Sequence, residues 1–485
     1  MFGWLRRKSK AELEAKRPVR ARYDAAQTTD DNFKHWLMAD NLGPVAENSQ
    51  AVRRTLRSRG RYEYSTNCWC RGIVDTKALY VIGSGPRLQV LTEDPGVNRQ
   101  IEVAWARWAK TVGLASTLRM MRVARGHTGE SFLVLGTNPE SAARVKLWPQ
   151  LIEADRVSNP YLMQDDSSNV DGIRFDDFGN PVEYQVLDQH PGETSWTLPS
   201  TSFTTLPAEL MIHYFHATRA GQRRGVPDVT PALPLFAYGR RFGLAVVSAA
   251  ETAAYHTGVI ESELPADDED PSDASPEAMD QIELARNMHT FLPSGSRLAQ
   301  LKAEQPTTGH ADFVRCILNE IARCMNMPLN VAMGNSAGYN YASGRLDHQT
   351  FFRDVTIEQD DIESVVLDRL FDAWLESAVL TSGVLPQGLR MVGADLELPY
   401  QWFWDGYEHV DPAKEANAQK IKLANLVTNR AIECAKSKLD WREVARQAAV
   451  EEAYYREVGL TAAPVEDESV AVDDDDDRSQ DANPE

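Results

Sequence analysis

The sequence GNSAG at residues 334–338 has the G-x-S-x-G spacing that exposes the nucleophilic serine in one large class of hydrolases. That motif requires a strand leading into it, because a sharp strand-to-helix turn lifts the serine out of the sheet. Here the preceding segment has apolar residues at four-residue steps, which predicts a helix, and Pro328 ends it. Only residues 329–333 are left for a strand, so the context that Ser336 needs is missing.

The residues after the motif also differ from those that a hydrolase of this class requires. Gly338 and Gly344 are expected to interrupt a helix where a nucleophile elbow needs one. Downstream, His348 and His409 are the histidines available as a base. We therefore interpret the stretch as an uncharged, mechanical loop, with a serine hydrolase that uses Ser336 as the alternative.

Other sequence signatures of catalysis are missing. The chain has no P-loop, no glycine-rich dinucleotide fingerprint after a strand, no H-E-x-x-H and no paired C-x-x-C. Its five cysteines do not indicate a disulfide framework, and Cys68 and Cys70 lack the second ligand pair of a zinc site. The sequence predicts no enzyme, no cofactor and no metal.

Charge is unevenly distributed along the 485 residues. The net charge of -20 argues against a protein that coats nucleic acid, because phosphate affinity requires clustered lysine and arginine. Residues 1–22 carry eight basic and two acidic groups, whereas residues 473–477 are consecutive aspartates. Such blocks predict solvated arms, and the chain beyond about residue 462 is expected to be disordered. The most apolar region, residues 232–254, is interrupted by charges, so no membrane span is predicted.

Residues 24–225 are predicted to form a mixed α/β domain with several antiparallel strands. Residues 72–90 and 130–136 are short apolar runs bounded by glycines, which favours strands. Residues 172–187 favour a hairpin, because a Phe-Gly-Asn-Pro turn separates two alternating stretches. Five arginines between positions 53 and 61 indicate a solvated helix face or, alternatively, a contact with phosphate or a partner.

From residue 227 the pattern becomes helical. Prolines open a predicted helix over about 228–257, and residues 311–327 form an amphipathic helix. Between them, residues 261–283 hold ten acidic groups and no basic ones, which predicts an exposed segment. A longer acidic helix is predicted over about 346–379. Two N-terminal helix signals, at Asp-Pro and Asp-Trp-Arg-Glu, predict a helical hairpin over about 411–457.

Four further stretches occur in a characteristic order between residues 172 and 432: GIRFDDFGNPVEYQVLDQHPG (172–192), RAGQRRGVPDVTPAL (219–233), ADFVRCILNEIARCMNMPLNVAMGNSAGYNYASGR (311–345) and HVDPAKEANAQKIKLANLVTNRAI (409–432). Together they resemble the lambda-like family of portal proteins of tailed bacteriophages. The sequence departs from that family in the acidic insert 265–280 and in its aspartate-rich tail.

The resemblance implies an α+β portal fold with a mixed α/β wing, a two-helix stem, a small clip, a long wing helix and an α-helical crown. It implies a ring of twelve subunits at one capsid vertex, which is also the platform for tail attachment. Terminase would package double-stranded DNA through the channel, and the DNA would leave by it on infection. The implied partners are the terminase large subunit, a head-tail adaptor, and the major capsid and scaffold proteins, with assembly in the host cytoplasm. Another head-tail connector ring is the alternative in this class.

The family plan also implies segment boundaries along the chain. They are a basic arm (1–23), the wing (24–225), the first stem helix (226–257), the clip (258–309), the second stem helix (310–329), the tunnel loop (330–345), the long wing helix and its return (346–404), the crown (405–460) and an acidic tail (461–485).

The tunnel loop has no charged side chain between residues 334 and 344. A channel that lets DNA slide cannot hold phosphates strongly, so neutral side chains suit this position. The residues predicted to face DNA are Asn335, Ser336, Tyr339, Asn340, Tyr341 and Ser343.

Closing a ring requires two different complementary patches on each subunit. Two clusters of opposite charge are predicted to meet between neighbouring subunits. They are the basic cluster Arg53, Arg54 and Arg57 and the acidic cluster Asp354, Glu358 and Asp361.

Overall fold

The computed structural model describes residues 34–159, 165–166, 168–193, 202–255, 259–262, 296–299, 310–338, 341–385, 398–406, 412–436, 439 and 441–459. The predicted arm, most of the predicted clip and the predicted tail lie outside these residues.

Helices dominate the described chain. They are α1 (Pro44–Glu47), α2 (Gln50–Thr66), α3 (Cys68–Ile82), α4 (Pro95–Thr111), α5 (Leu114–Thr128), α6 (Leu233–Tyr255), α7 (His310–Cys324), α8 (Leu329–Met333), α9 (Tyr341–Ile362), α10 (Asp368–Leu380), α11 (Pro412–Ala424), α12 (Arg430–Lys436) and α13 (Trp441–Glu457). A π-helical turn, Glu363–Leu367, joins α9 to α10.

The strands form small antiparallel sheets. Three strands take the order β3-β2-β8, four take the order β4-β5-β6-β7, and two pairs, β1 with β11 and β9 with β10, complete the set. The strands are β1 (Arg87–Val90), β2 (Glu130–Thr137), β3 (Leu147–Ile152), β4 (Asn169–Val170), β5 (Ile173–Phe175), β6 (Pro181–Leu187), β7 (Phe203–Pro207), β8 (Met211–Phe215), β9 (Val259–Ser262), β10 (Ser296–Ala299) and β11 (Tyr400–Phe403).

An aromatic cluster ties the distant parts of the body together. The ring of Trp105 on α4 lies 4.9 Å from Trp108, 5.5 Å from Phe371 and 5.4 Å from Trp374, measured between centroids. Trp402 on β11 lies 5.6 Å away. Since edge-to-face aromatic pairs add to the stability that burial gives, this cluster holds α10 and the returning strand against α4.

The prediction of a strand at residues 72–82 was wrong, because α3 occupies them. Ile73, Val74, Lys77 and Val81 are all buried, at the three- and four-residue spacing of one helix face. Asn67 accepts hydrogen bonds from the backbone amides of the first turn and so starts the helix.

Other predicted elements are confirmed. β5 and β6 form the predicted hairpin, with a register shift between Arg174 and Phe175. The helices predicted over 228–257, 311–327 and 346–379 correspond to α6, α7 and α9 with α10. The C-terminal helices number three rather than the predicted two, because α12 lies between α11 and α13.

Helices α2 and α5 approach each other most closely at Gly60. A methyl group there would lie 2.1 Å from the carbonyl oxygen of His127, a contact that the backbone would have to move to relieve. We expect Gly60→Ala to destabilise the fold by about 1–3 kcal/mol, as overpacking does. The matched control is Gly72→Ala on α3, where nothing lies within 4 Å, and which should stabilise the helix by up to about 1 kcal/mol. Urea denaturation followed by tryptophan fluorescence measures both, and equal effects would contradict this close packing.

Candidate functional site

The uncharged loop is exposed and stands between two helices. Residues 334–338 are all exposed, following α8 and preceding α9. Gly334 ends α8 with φ +61°, and Gly338 has φ +82°, backbone conformations that favour glycine. Of the predicted DNA-facing residues, Tyr339 and Asn340 lie outside the described residues.

Helix α9 begins at Tyr341, five residues earlier than predicted, so the predicted loop residues Tyr341 and Ser343 belong to the first turn of a helix. Gly344 therefore lies within α9, and the prediction that it breaks a helix was wrong. One glycine costs a helix about 1 kcal/mol, which the remaining turns of a 22-residue helix offset. The loop between the two helices is thus limited to residues 334–340.

The first half of the loop is fixed to the body through Asn330. This residue is buried on α8, and its Nδ2 lies 3.1 Å from Nε2 of His348 on α9. The backbone amide of Asn335 donates to the carbonyl of Asn330 at 3.0 Å, and the Asn335 side chain accepts from the amide of Ala337 at 2.9 Å. The start of the loop is consequently positioned by buried structure, and the described loop residues 334–338 are exposed.

Ser336 does not occupy a nucleophile elbow. The five residues before the motif form α8, a helical turn, and not the strand that such an elbow requires. The loop therefore offers neutral hydrogen-bonding groups to whatever it faces, without the surrounding structure that activates a serine.

The two helices that flank the predicted clip pack together where the middle of α6 meets the first turn of α7. Phe242 on α6 stacks on His310 and contacts Phe313 of α7, with centroid distances of 5.4 and 4.3 Å. The Arg240 guanidinium holds Glu63 of α2 through two hydrogen bonds of 3.0 and 2.8 Å. This bidentate pair fixes α6 to the body.

A buried group of charges, which we call the Glu130 cluster, joins α2 to the sheet and to the segment before α6. Glu130 is fully buried and accepts from Arg224 Nε at 2.8 and 3.0 Å, from Arg57, and from the amide of Gly225. His213 Nε2 lies 2.8 Å from Oε2 of Glu130. The complete cluster pairs four arginines with four carboxylates: Arg53, Arg57, Arg61 and Arg224 with Glu130, Asp155, Asp165 and Asp171.

The charge balance sets the protonation of the Glu130 cluster. Burial by itself raises the pKa of Glu130, but the guanidinium groups of Arg224 and Arg57 overcome it and hold the pKa well below its usual value. Burial lowers the pKa of His213 despite its contact with Glu130, so the imidazole is neutral at pH 7.

A second group, the Glu358 cluster, joins the long helix α9 to α3, to α5 and to the segment that precedes α6. Glu358 pairs with Arg122 and with Arg125, the latter at 3.1 Å, and lies 3.7 Å from Lys77. Arg122 also reaches Asp228 at 3.0 Å. With Asp354, which pairs with Lys77, the cluster contains three cations and three carboxylates. Burial raises the pKa of Glu358, and the cations around it lower the pKa further than burial raises it.

These two clusters correct the predicted contact between subunits. Arg53, Arg57 and Glu358 are buried inside one chain, with exposed fractions of 1%, 2% and 5%, and are ion-paired there. The helix face that carries Arg53 and Arg57 is therefore not solvated, and these two residues and Glu358 cannot meet a neighbouring subunit. Arg54 and Asp361 are exposed, so their role at an interface stays a prediction.

Glu130 and Arg224, the centre of the first cluster, were not singled out from the sequence. The available signal was the spacing of Arg53, Arg57 and Arg61, which repeats every four residues and so lies on one helix face. Their partners lie about 70 to 120 positions away, and no local pattern identifies them.

Within the described part of the chain, no group of histidine, cysteine, aspartate or glutamate side chains is arranged to hold a metal ion. None of the described helices is both long and apolar enough to cross a membrane.

The described chain combines a mixed α/β body with helices around an uncharged loop, and Ser336 lacks the strand of a nucleophile elbow. A model of the lambda family of phage portal proteins matches residues 32–359. The chain belongs to this family. It is a phage portal protein, a structural component of the phage particle and not an enzyme, and the serine-hydrolase alternative is set aside.

The chain is also similar to individual proteins. A probable portal protein of Halomonas phage phiHAP-1 is 24% identical over 432 residues, which cover 83% of this chain and 80% of that protein. Among solved structures, a chain in the neck of an empty GTA particle, computed with C6 symmetry, aligns with 80% of this chain and 94% of its own length. Its TM-score is 0.47 and its identity 13%. A chain in the neck of a native GTA particle, computed with C12 symmetry, aligns with 80% of this chain and 93% of its own length, at a TM-score of 0.43 and 14% identity.

Proposed function

We propose that twelve copies of this chain close into a ring at one vertex of the capsid and that duplex DNA passes through its axial channel. Residues 334–340 would face the duplex. The observation that carries this proposal is an exposed, uncharged stretch, residues 334–338, whose start is fixed to the body. Such a loop contacts DNA without adding the phosphate affinity that would stop it from sliding.

Exposed apolar side chains on α6 and α7 support the ring. Tyr238, Leu244 and Val247 are 58%, 66% and 55% exposed on α6, and Phe313 is 44% exposed on α7. Several large apolar side chains exposed on one pair of helices suit a surface that another protein covers. Neighbouring copies would cover it in the ring.

The remaining segments fit the same proposal. Residues 24–225 and 346–404 would form the wing, α6 and α7 the stem, and residues 405–460 the crown. The antiparallel pair of β9 and β10 brings the two ends of the clip together, with Val259 opposite Ala299. The clip would contact the terminase large subunit and later the head-tail adaptor, and the wing would contact the major capsid and scaffold proteins during assembly in the host cytoplasm.

Electron microscopy of the purified chain tests the ring. We expect rings with an axial hole wide enough for duplex DNA. Leu244→Glu should abolish them, because each ring would bury twelve unpaired carboxylates, while its circular dichroism spectrum stays unchanged. The matched control is Leu380→Glu, which is 88% exposed at the end of α10 and should still form rings. A wild-type protein that remains monomeric at all concentrations would contradict the proposal.

A further inference from the structure

A concave surface on α4 has no role in the proposed DNA channel. It encloses about 520 Å³ and lies between α4, the turn around Arg144 and the chain near Gly383 that follows α10. A volume of this size can take several side chains of a bound peptide. We call it the α4 pocket.

The α4 pocket is positively charged in a chain whose net charge is -20. Arg99, Arg107 and Arg144 line it, and none of its described lining residues is acidic. Within the described residues, neither Arg107 nor Arg144 lies in an ion pair with a carboxylate. Arg144 is held in place, because its Nη1 donates to the carbonyl of Gly383 at 3.0 Å. The pocket thus presents cationic groups at defined positions.

The floor of the α4 pocket is apolar and rigid. Trp108 is 3% exposed and its indole nitrogen donates to the carbonyl of Leu147 at 3.0 Å. Val145 is buried beside it, and Val103 projects from α4 with 38% of its surface exposed. An apolar floor under three guanidinium groups suits a peptide that carries both apolar and acidic side chains better than a DNA backbone, which offers phosphates alone.

The chain itself contains such a peptide. Residues 465–477, VEDESVAVDDDDD, hold eight acidic groups, four apolar side chains and no basic group. The described chain ends at Gly459, and 18 residues of extended chain reach up to about 60 Å. We propose that residues 465–477 bind in the α4 pocket, with aspartates on the arginines and valines on the apolar floor.

This contact has a consequence that does not depend on the ring. With the segment bound, three arginines are neutralised by the protein's own carboxylates, so this face does not take up nucleic acid. Charge-paired docking of this kind weakens as salt screens it, with a Debye length of about 8 Å at 0.15 M ionic strength.

Site-specific crosslinking in the full-length chain tests the proposal. A photoreactive benzoylphenylalanine at Val103, followed by mass spectrometry, should give a crosslink to residues 465–477. The double substitution Arg107→Glu with Arg144→Glu should reduce that crosslink about tenfold, through charge repulsion. Introducing Asp474→Lys and Asp476→Lys into this variant should restore it.

The matched control is Arg353→Glu, an exposed arginine on α9 that does not line the α4 pocket, and it should leave the crosslink unchanged. A crosslink to nucleic acid in material prepared without nuclease, or to a part of the chain other than residues 465–477, would overturn the proposal. So would a crosslink that is equally strong in the double variant, or no crosslink at all.

Discussion

Glu130→Gln is expected to lower the free energy of unfolding by about 3–5 kcal/mol, the cost of breaking a buried ion pair by removing one partner. Glu130 is fully buried and is contacted by Arg57, Arg224 and His213. The amide of glutamine keeps the shape but removes the charge, so two buried guanidinium groups lose their closest counterion. Urea denaturation followed by tryptophan fluorescence measures the loss.

Two further variants separate this effect from a general sensitivity to substitution. Glu183→Gln removes a similar carboxylate from an exposed pair with Arg174, and it should not shift the denaturation midpoint measurably. Adding Arg57→Gln to Glu130→Gln removes one of the stranded cations and should recover part of the stability. If Glu130→Gln denatured at the wild-type midpoint, the cluster would not stabilise the fold.

The Glu130 and Glu358 clusters together predict the direction of the pH dependence. The pKa values of Glu130, Asp171 and Glu358 are lowered in the folded chain. Their contribution to stability is therefore present above the unfolded pKa of about 4 and is lost as the pH falls below it. His213 adds a loss that begins near pH 6.5, because its pKa is lowered by burial and the unfolded chain binds the proton more readily.

Ser336→Arg is expected to reduce the DNA packaged per particle by about tenfold or more, if the loop faces DNA as proposed. Each subunit would add a guanidinium group to the channel, and every phosphate contact releases counterions and raises affinity. Retained duplex DNA should then depend steeply on salt between about 50 and 200 mM. Quantitative PCR of nuclease-protected DNA measures packaging, and filter binding measures retention by purified protein.

Two controls accompany this variant. Ser336→Ala should package normally, since no hydroxyl chemistry is required of this residue. Phe178→Arg adds the same charge at the turn of the β5–β6 hairpin, where the side chain is 92% exposed, and it should also package normally. Unchanged packaging by Ser336→Arg would show that residue 336 does not face the duplex, whereas equal loss in both arginine variants would indicate an effect of charge anywhere on the surface.

The elements that the sequence predicted well are those whose signals are local. The β5–β6 hairpin follows from its turn residues, and α7 follows from apolar side chains at four-residue steps. Gly72, which lies inside α3, and Gly83, which follows it, instead suggested a strand, although Ile73, Lys77 and Val81 have helical spacing. The predicted end of the loop at residue 345 was wrong because it relied on Gly344, and one glycine does not end a helix that is stabilised by its other turns.

The buried charges could not be paired from the sequence. Arg57 is an ordinary surface residue by type, and its burial depends on Glu130, 73 positions later. Glu358 likewise lies among exposed acids of α9 in the sequence, yet it binds Arg125, 233 positions earlier. Long-range topology decides where such a residue lies. Opposite charges in the sequence therefore suggested a contact between subunits, whereas in the fold these residues belong to two separate ion-pair clusters within one chain.

The π-helical turn Glu363–Leu367 determines how an insertion or deletion in the long wing helix would act. Glu358 and Ala378 are both buried, yet 20 residues at about 100° each place them roughly 200° apart on a regular helix. A wider turn accommodates an additional residue and rotates the second half back towards the body. Removing one residue within this turn would therefore regularise the helix and keep Trp374 against Trp105, whereas removing one residue elsewhere in α9 would turn Trp374 about 100° away from it.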